Sequence, residues 1–261
     1  MSGIVLTPRG AFEARVDLTG ALPGADLASL KIGYGGRRVA LAELFEISGA
    51  ADGRLTVAGG GVELDNVAAG LTDGEVVVEG DVGARLAQGA TGGAVLVKGS
   101  AGDYAASELA GGKVTVEGDV GERLGAASAG ARRGMSGGVV TVGGSAGVRA
   151  AERQRGGVIV VKGDTAEGAA TDMIAGTLAV GGALGAKAGR GMKRGTLLLH
   201  SPEGLAAGFA DAGEHDLVML RVLVRRSAEL AAFLGADATR ARRFAGDLNA
   251  AGQGEALVFS R

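Results

Sequence analysis

A glycine opens a short aliphatic run eight times in this chain, and the spacing of these runs constrains the fold more than any other feature. The eight glycines are Gly53, Gly74, Gly93, Gly112, Gly138, Gly157, Gly176 and Gly195. Successive intervals are 21, 19, 19, 26, 19, 19 and 19 residues, so the 26-residue interval indicates one unit with a seven-residue insertion within Ala126 to Gly134. A recurrent period of this length is typical of an architecture that repeats one supersecondary unit.

The third and fifth residues of every unit are aliphatic. They are Leu55/Val57, Val76/Val78, Val95/Val97, Val114/Val116, Val140/Val142, Ile159/Val161, Leu178/Val180 and Leu197/Leu199. Alternate residues of a strand point to the same side, so each pair lies on one face. The sequence therefore predicts eight short strands, each of which turns two aliphatic side chains inward.

Turn residues follow these strands at equivalent positions. A second glycine closes most of them, and it is followed by Asp81, Asp119 and Asp164 in alternate units, with Ser100 and Ser145 in the units between. Glycine at positive φ and a short side chain bonded to nearby backbone are the usual chemistry of a turn. We predict an all-β fold: a single-stranded right-handed parallel β-helix, or β-solenoid, of about eight 19-residue coils stacked about 4.8 Å apart.

The two ends of the chain lack the repeat, and open solenoid ends would expose strand edges and core. The sequence predicts a lead-in and cap at 1–52, the glycine-rich β-helix at 53–199, and a cap and docking segment at 200–261. Within the caps, the patterns predict strands at Leu30–Ile32 and Leu217–Val224. They predict helices at Val39–Ile47, Ser227–Leu234 and Ala238–Leu248.

Composition excludes several classes of function. The chain has no Cys, which excludes thiolate zinc sites, Cys-ligated iron–sulfur clusters and Cys nucleophiles. The formal net charge of −2 does not favour nucleic acid as a partner. No apolar run reaches the length of a membrane helix and the first residues carry no signal pattern, so a cytoplasmic location away from membranes is expected.

Candidate catalytic and ligand-binding groups are few. His200 and His215 stand outside any recognisable nucleophile or metal motif, and a structural or surface role is expected for both. Gly189–Gly191 and Gly33–Gly36 imitate phosphate-binding loops, but neither follows a P-loop pattern. We therefore assign no catalytic, cofactor-binding or metal-ligating residue to this chain.

The twelfth residue of each unit forms a column that is mostly basic: Arg85, Tyr104, Arg123, Arg149, Gly168 and Lys187. Like charges on adjacent coils repel unless something anionic balances them. One interpretation is a solvated face balanced by Asp103, Glu122, Glu152 and Glu167. The other is a docking edge, formed by Arg85, Arg123, Arg149 and Lys187, for an acidic partner surface or a coenzyme tail with several glutamyl carboxylates.

The repeat motif also carries a family resemblance. Val76–Gly83 and Val114–Gly121 share the pattern V-x-V-x-G-D-x-G, which resembles the glycine-rich β-helix of the glutamate synthase C-terminal domain. The whole chain is more similar to the C subunit of formylmethanofuran dehydrogenase and its bacterial relative in the formyltransferase/hydrolase complex. Leu41–Gly49 resembles that family's lead-in, and Arg243–Leu248 with Gly252–Glu255 resembles its closing segment.

The resemblance implies a non-catalytic scaffold subunit of a complex that handles a formyl group on methanofuran or a similar glutamyl-tailed coenzyme. The implied partners are a zinc-dependent amidohydrolase-type subunit with either a formyltransferase or, in the dehydrogenase, a molybdopterin-type subunit with molybdenum or tungsten and iron–sulfur centres. The Arg- and Ala-rich composition favours the bacterial version, although the repeats do not separate redox from hydrolytic complexes. The alternatives are a glutamate synthase-type solenoid linking amidotransferase active sites and a free-standing binding solenoid.

Overall fold

The computed structural model describes residues 3–235, 239–250 and 252–259. The regular secondary structure of this part of the chain is mostly β, arranged in a 13-stranded sheet and a 4-stranded sheet, and turns connect the strands. None of the helices in it is long and apolar enough to span a lipid bilayer.

The elements follow the chain in this order. The first part contains β1 (Ile4–Pro8), β2 (Val16–Asp17), β3 (Lys31–Tyr34), β4 (Arg37–Ala40), α1 (Leu41–Leu44) and β5 (Phe45–Ser48). The repeats contain β6 (Arg54–Val57), β7 (Leu64–Asp65), β8 (Glu75–Val78), β9 (Ala94–Val97), β10 (Lys113–Val116), β11 (Val139–Val142), β12 (Val158–Val161), β13 (Thr177–Val180) and β14 (Thr196–Leu199). The last part contains β15 (Ala210–Asp216), α2 (Val218–Arg226), α3 (Ala228–Leu234), β16 (Arg240–Gly246) and β17 (Gly254–Val258).

The eight predicted repeat strands, β6 and β8 to β14, form one continuous parallel ladder. Each strand pairs in register with its equivalents in the neighbouring units. All sixteen predicted aliphatic side chains are at most 3% exposed. The predicted strand positions and inward faces are therefore confirmed, and the long, largely parallel sheet is of the β-helix type.

After the turn, each of these units contributes a single residue to a second parallel ladder. Isolated parallel bridges join Gly61, Val82, Ala101, Val120, Ala146, Thr165 and Leu184 in sequence. The inserted segment leaves this ladder unbroken, because Val120 bridges directly to Ala146 across the long unit. Ser128 anchors the insertion, since its hydroxyl accepts from Gln88 Nε2 at 2.9 Å.

The Asp/Ser column after the strands ties each coil to the next. Ser145 N–H donates to Asp119 Oδ1 at 2.7 Å, and Asp119 N–H donates to Ser100 Oγ at 3.1 Å. The prediction that these side chains bond nearby backbone is confirmed. The prediction that the closing glycines take positive φ is wrong for most of them, including Gly99 and Gly118. Glycine is required at Gly99 and Gly118 for another reason: a Cβ there would collide with the Asp or Ser side chain of the preceding coil.

The opening glycines take positive φ in all eight units, from 72° to 105°. At Gly112, where φ is 81°, an added Cβ would also lie 2.6 Å from the carbonyl oxygens of Gly92 and Gly93. These positions therefore combine a left-handed backbone with direct contact between coils, and both conditions favour glycine.

The N-terminal segment is more extended than predicted. The helix expected at Val39–Ile47 is wrong for most of its length, because only Leu41–Leu44 is helical. β5 instead pairs antiparallel with β1, which in turn pairs parallel with β6. This pairing buries Phe45 completely at the end of the solenoid core. The strand expected at Leu30–Ile32 is present as β3, displaced by one or two residues.

Two predictions for the C-terminal segment are wrong. Leu217–Val224, expected as a strand, is mostly helix α2, and Ala238–Leu248, expected as a helix, contains strand β16. Ala238 itself lies outside the described residues. The helix expected at Ser227–Leu234 is confirmed as α3, whose N-cap is Ser227.

Packing and strand pairing against the solenoid explain why Leu217–Val224 is mostly helical and why Arg240–Gly246 is a strand. α2 and α3 bury Leu220 and Leu230 on the outer face of the sheet, against Val160, Ala179 and Leu198. β16 lies between β15 and β17, and β17 continues the parallel ladder beyond β14. Segments outside the repeat thus cover both ends of the ladder. The boundaries 1–52, 53–199 and 200–261 stay predictions.

Replacing Gly112 by Ala should lower the free energy of unfolding by about 3 kcal/mol, because it adds left-handed strain to a steric conflict between coils. Gly130→Ala is the matched control. Gly130 also has positive φ, 86°, but nothing lies within 4 Å of the position that a Cβ would take there, so about 1 kcal/mol is expected from strain alone. Urea unfolding of both variants measures the difference, and equal losses would contradict the stacking argument.

Candidate functional site

The predicted basic edge, comprising Arg85, Arg123, Arg149 and Lys187, lies on an unusual stretch of backbone. All four residues have positive φ, between 57° and 61°, as does Tyr104 at 59°. Arg85 N–H donates to the Asp103 carbonyl of the next coil at 2.8 Å. The equivalent N–H groups of Arg123 and Arg149 also donate to the following coil. These bonds offset the cost of the left-handed conformation and fix the position of each of these residues relative to the next coil.

Glu152 forms ion pairs with both arginines in the middle of the basic edge. Its Oε2 lies 3.1 Å from Arg123 Nη1, and its Oε1 lies 3.1 Å from Arg149 Nη1. The Glu152 side chain is only 8% exposed, whereas the two arginines are 31% and 41% exposed. One nearly buried carboxylate therefore joins guanidinium groups from two neighbouring coils, and each arginine lowers the cost of burying it.

The outer members of the edge are also partnered. Lys187 Nζ lies 2.6 Å from Glu167 Oε1, and its hydrogen bond and charge lower the pKa of Glu167, with help from Arg190 and Arg149. Arg85 Nε donates to Asn66 Oδ1 at 3.0 Å. The balancing role expected for Glu152 and Glu167 is therefore present as ion pairs.

Arginines without ion pairs lie beside the insertion. Arg132, Arg133 and Arg155 line a groove of about 630 Å³ together with Glu108. In the described part of the chain, these three guanidinium groups make no ion pair. The Glu108 carboxylate accepts the Ser128 N–H at 3.1 Å. The insertion and the coil that follows it thus add positive groups that face solvent beside this groove.

The loop Gly189–Gly191, which imitates a phosphate cradle in sequence, holds a carboxylate of its own chain. Gly191 N–H donates to Asp247 Oδ2 at 2.9 Å, and Asn249 N–H donates to Asp247 Oδ1 at 2.9 Å. Burial raises the pKa of Asp247, but these hydrogen bonds outweigh it and the pKa is lowered. This contact attaches the C-terminal cap to the last coils.

The other glycine-rich loop, Gly33–Gly36, contributes to the β3–β4 hairpin, where Gly35 and Gly36 have positive φ.

The histidines are separate from the basic edge. His215 is exposed, with Nε2 2.9 Å from the Ala212 carbonyl oxygen. His200 stacks on Phe233 at a ring-centroid distance of 5.3 Å. Across the described residues, no group of three or more His, Asp or Glu side chains is placed to hold a metal ion.

The repeat pattern predicted the residues of the basic edge, but it did not predict that Glu152 forms ion pairs with both Arg123 and Arg149. The available signal was its position three residues after Arg149, with Arg123 in the preceding coil. It also missed Asp247, which is 56 residues from its Gly191 partner and lies outside the repeat. No periodic pattern could connect these two residues.

The fold and its rows of charged side chains define the class: a glycine-rich β-solenoid, which presents long rigid faces to other molecules. No family model matches the chain. Over 85 residues it is 40% identical to the Fhc C subunit of the formyltransferase/hydrolase complex of Methylorubrum extorquens, a stretch that spans 30% of this chain and 32% of that protein.

A solved structure extends this likeness over the full length. In the X-ray crystal structure of the formyltransferase/hydrolase complex (FhcABCD) from Methylorubrum extorquens in complex with methylofuran, one chain is 37% identical to this one. The match covers 98% of this chain and 100% of that chain, with a TM-score of 0.89. The chain therefore belongs to the family of the formyltransferase/hydrolase complex C subunits.

Glu152→Gln should lower the free energy of unfolding by about 2 to 3 kcal/mol, because it removes the anion between two arginines at a nearly buried position. Glu167→Gln is the control, since the exposed Lys187–Glu167 pair should contribute less than about 1 kcal/mol. Chemical denaturation in low and high salt compares them. A loss at Glu152 as small as that at Glu167 would contradict the assigned role.

Proposed function

We propose that this chain is the scaffold subunit of a formyltransferase/hydrolase complex in one-carbon metabolism, and that it positions catalytic subunits without supplying catalytic residues. The observation that carries the proposal is the full-length match to a chain of the FhcABCD complex at 37% identity. This match supports the complex subunit over a glutamate synthase-type solenoid or a free-standing binding solenoid. It also favours the hydrolytic complex over the redox-active dehydrogenase.

The physical basis is rigidity. Successive coils share backbone hydrogen bonds along the entire ladder, so residues on different coils keep constant separations. We infer a right-handed helix of about eight coils spanning residues 53–199. A solenoid of this kind offers faces large enough for the extensive interfaces of permanent complexes.

The proposed partners are an amidohydrolase-type subunit, which would carry the zinc, and a formyltransferase subunit. The comparison complex was crystallised with methylofuran, and we propose that the assembly containing this chain uses a coenzyme of the same kind. Molybdenum, tungsten and iron–sulfur centres would belong to partner subunits only in the dehydrogenase version.

Native purification of the tagged chain from its own source tests the scaffold proposal. The hydrolase and formyltransferase subunits should co-elute with it at constant stoichiometry through size-exclusion chromatography, because a scaffold forms permanent interfaces. Mass spectrometry identifies them, and an untagged strain serves as the control. Elution of the chain alone, with the partners assembled without it, would reject the proposal.

The basic edge and the two insertion arginines, Arg132 and Arg133, are the proposed docking surface for an acidic partner surface or for glutamyl carboxylates of the coenzyme. Arg123 and Arg149 hold Glu152, so their reversal would also damage the fold. Arg85→Glu with Lys187→Glu avoids that contact. This double variant should weaken association with the partner subunits or the coenzyme about tenfold at low salt and reduce the salt dependence of binding.

Lys31→Glu with Arg37→Glu provides the matched control for this charge reversal. Both residues are exposed on the small N-terminal sheet and are not members of the basic edge. Surface plasmon resonance over a series of salt concentrations compares the two pairs of substitutions. Equal affinities for the edge variant and the unmodified chain at low salt would remove the basic edge from the interface.

A further inference from the structure

The inserted segment forms a loop beside the solenoid, at residues 126–134, and leaves both ladders unbroken. Strands β10 and β11 pair in register across it, and Val120 bridges directly to Ala146. The loop is closed at its base, where the Met135 N–H donates to the Gly125 carbonyl at 2.8 Å. Insertions in repeat proteins form loops on one face, which is often the binding face. A role outside the core is therefore expected for this loop.

Hydrogen bonds hold the loop against the neighbouring coils. The buried Ser107 hydroxyl donates to the Ala126 carbonyl at 2.6 Å where the loop begins. Gly134 N–H donates to the Arg153 carbonyl at 2.9 Å where the loop ends. Between these points, Ser128 is bonded to side chains of the two preceding coils. The loop therefore presents its exposed side chains from a backbone that is fixed at both ends.

The groove of about 630 Å³ beside this loop runs across several coils. Its lining includes the eighteenth residue of four consecutive units, counted without the insertion: Ala110, Ser136, Arg155 and Ile174. Coils stack about 4.8 Å apart, so this row is about 14 Å long. An extended polypeptide rises about 3.3 Å per residue, and the row therefore has the length of about four residues of such a chain.

The groove lining carries an excess of positive charge. Arg132, Arg133 and Arg155 are exposed, and they make no ion pair among the residues that the structure describes. Glu108 is the single acidic residue of the lining, so two of the three positive charges are unbalanced. A guanidinium group can donate two parallel hydrogen bonds to a carboxylate. The groove is therefore complementary to a ligand that carries several carboxylates.

We propose that this groove, the insertion groove, is the docking site for an extended acidic segment of a partner subunit. The carboxylates of the segment accept from Arg132, Arg133 and Arg155, and its other side chains contact Ala110 and Ile174. This apolar lining suits a polypeptide better than a tail of carboxylates alone, and the net charge of the chain does not favour nucleic acid. The inference rests on the proposed scaffold function and assigns one kind of partner to the insertion.

Binding of the fluorescein-labelled peptide Glu-Glu-Leu-Glu-Glu to the purified full chain, measured by fluorescence anisotropy, tests the site. Arg132→Glu with Arg133→Glu should weaken peptide binding at least tenfold, and Arg155→Ala about threefold, because each change removes a donor to a carboxylate. Lys31→Glu with Arg37→Glu is the matched control: it makes the same change in charge outside the groove and should leave binding unchanged. Melting temperatures verify that all variants are folded.

Three competing probes define the ligand class. The glutamine analogue of the peptide should bind at least tenfold more weakly, because it lacks the charges. Absence of peptide binding, equal binding of the analogue, or no effect of the arginine substitutions would overturn the proposal. Tighter binding of a γ-linked tetraglutamate, or of a ten-nucleotide poly-dT strand, would assign the groove to a coenzyme tail or to nucleic acid instead.

Photocrosslinking in the native complex identifies the occupant. Ser136 is an exposed residue of the groove lining, and p-benzoylphenylalanine at this position should crosslink to an Asp- and Glu-rich segment of a co-eluting subunit. The same amino acid in place of Lys31 is the control and should not crosslink to that segment. A complex that assembles normally but gives no crosslink from position 136, or a crosslink to a segment without acidic residues, would reject the groove and leave the scaffold function standing. Failure of the subunits to co-elute would reject the scaffold function itself.

Discussion

Each coil is hydrogen-bonded through its backbone to the equivalent backbone of the next coil, and the other features of the fold follow from this pairing. Because the pairing is parallel and in register, every coil must follow nearly the same path as its neighbours. Side chains at the corners then meet one another directly, which explains both the glycines at the coil contacts and the small side chains beside them. The 26-residue unit obeys the same rule: its extra residues leave the ladder between Val120 and Ala146 and return to it without shifting the register.

In-register stacking also decides where charge can be placed. Identical residues in adjacent coils would stand about 4.8 Å apart, and carboxylates at that spacing repel. The alternation of Asp81, Ser100, Asp119, Ser145 and Asp164 avoids this while keeping an acceptor for the next backbone N–H in every coil. On the basic edge the charges are arranged differently. Glu152 lies between Arg123 and Arg149, forms an ion pair with each, and so balances one of the two positive charges from neighbouring coils.

The repeat strands and their inward aliphatic pairs could be predicted from the sequence because the same pattern occurs eight times. A misleading residue in one unit is therefore outweighed by the equivalent residues of the other units. The caps have no such redundancy. The Leu217–Val224 run was compatible with a strand by composition, and only its packing on the outer face of the sheet selects a helix. Arg240–Gly246 was misassigned because its strand exists by pairing with β15 and β17. The basic edge could be found by counting within the repeat, whereas the contact of Gly191 with Asp247 could not, since Asp247 lies outside the repeat.

The strands at the two extremes of the long sheet, β15 and β5, are antiparallel to their neighbours, whereas the interior ladder is parallel. β15 also has a register shift between Asp211 and Glu214 and is mostly solvent-exposed, with acidic side chains at Asp211, Glu214 and Asp216. An irregular, charged edge is a poor template for another copy of the same ladder. Although its interior is built from a repeat that could continue indefinitely, the molecule is thereby protected from end-to-end polymerisation into filaments.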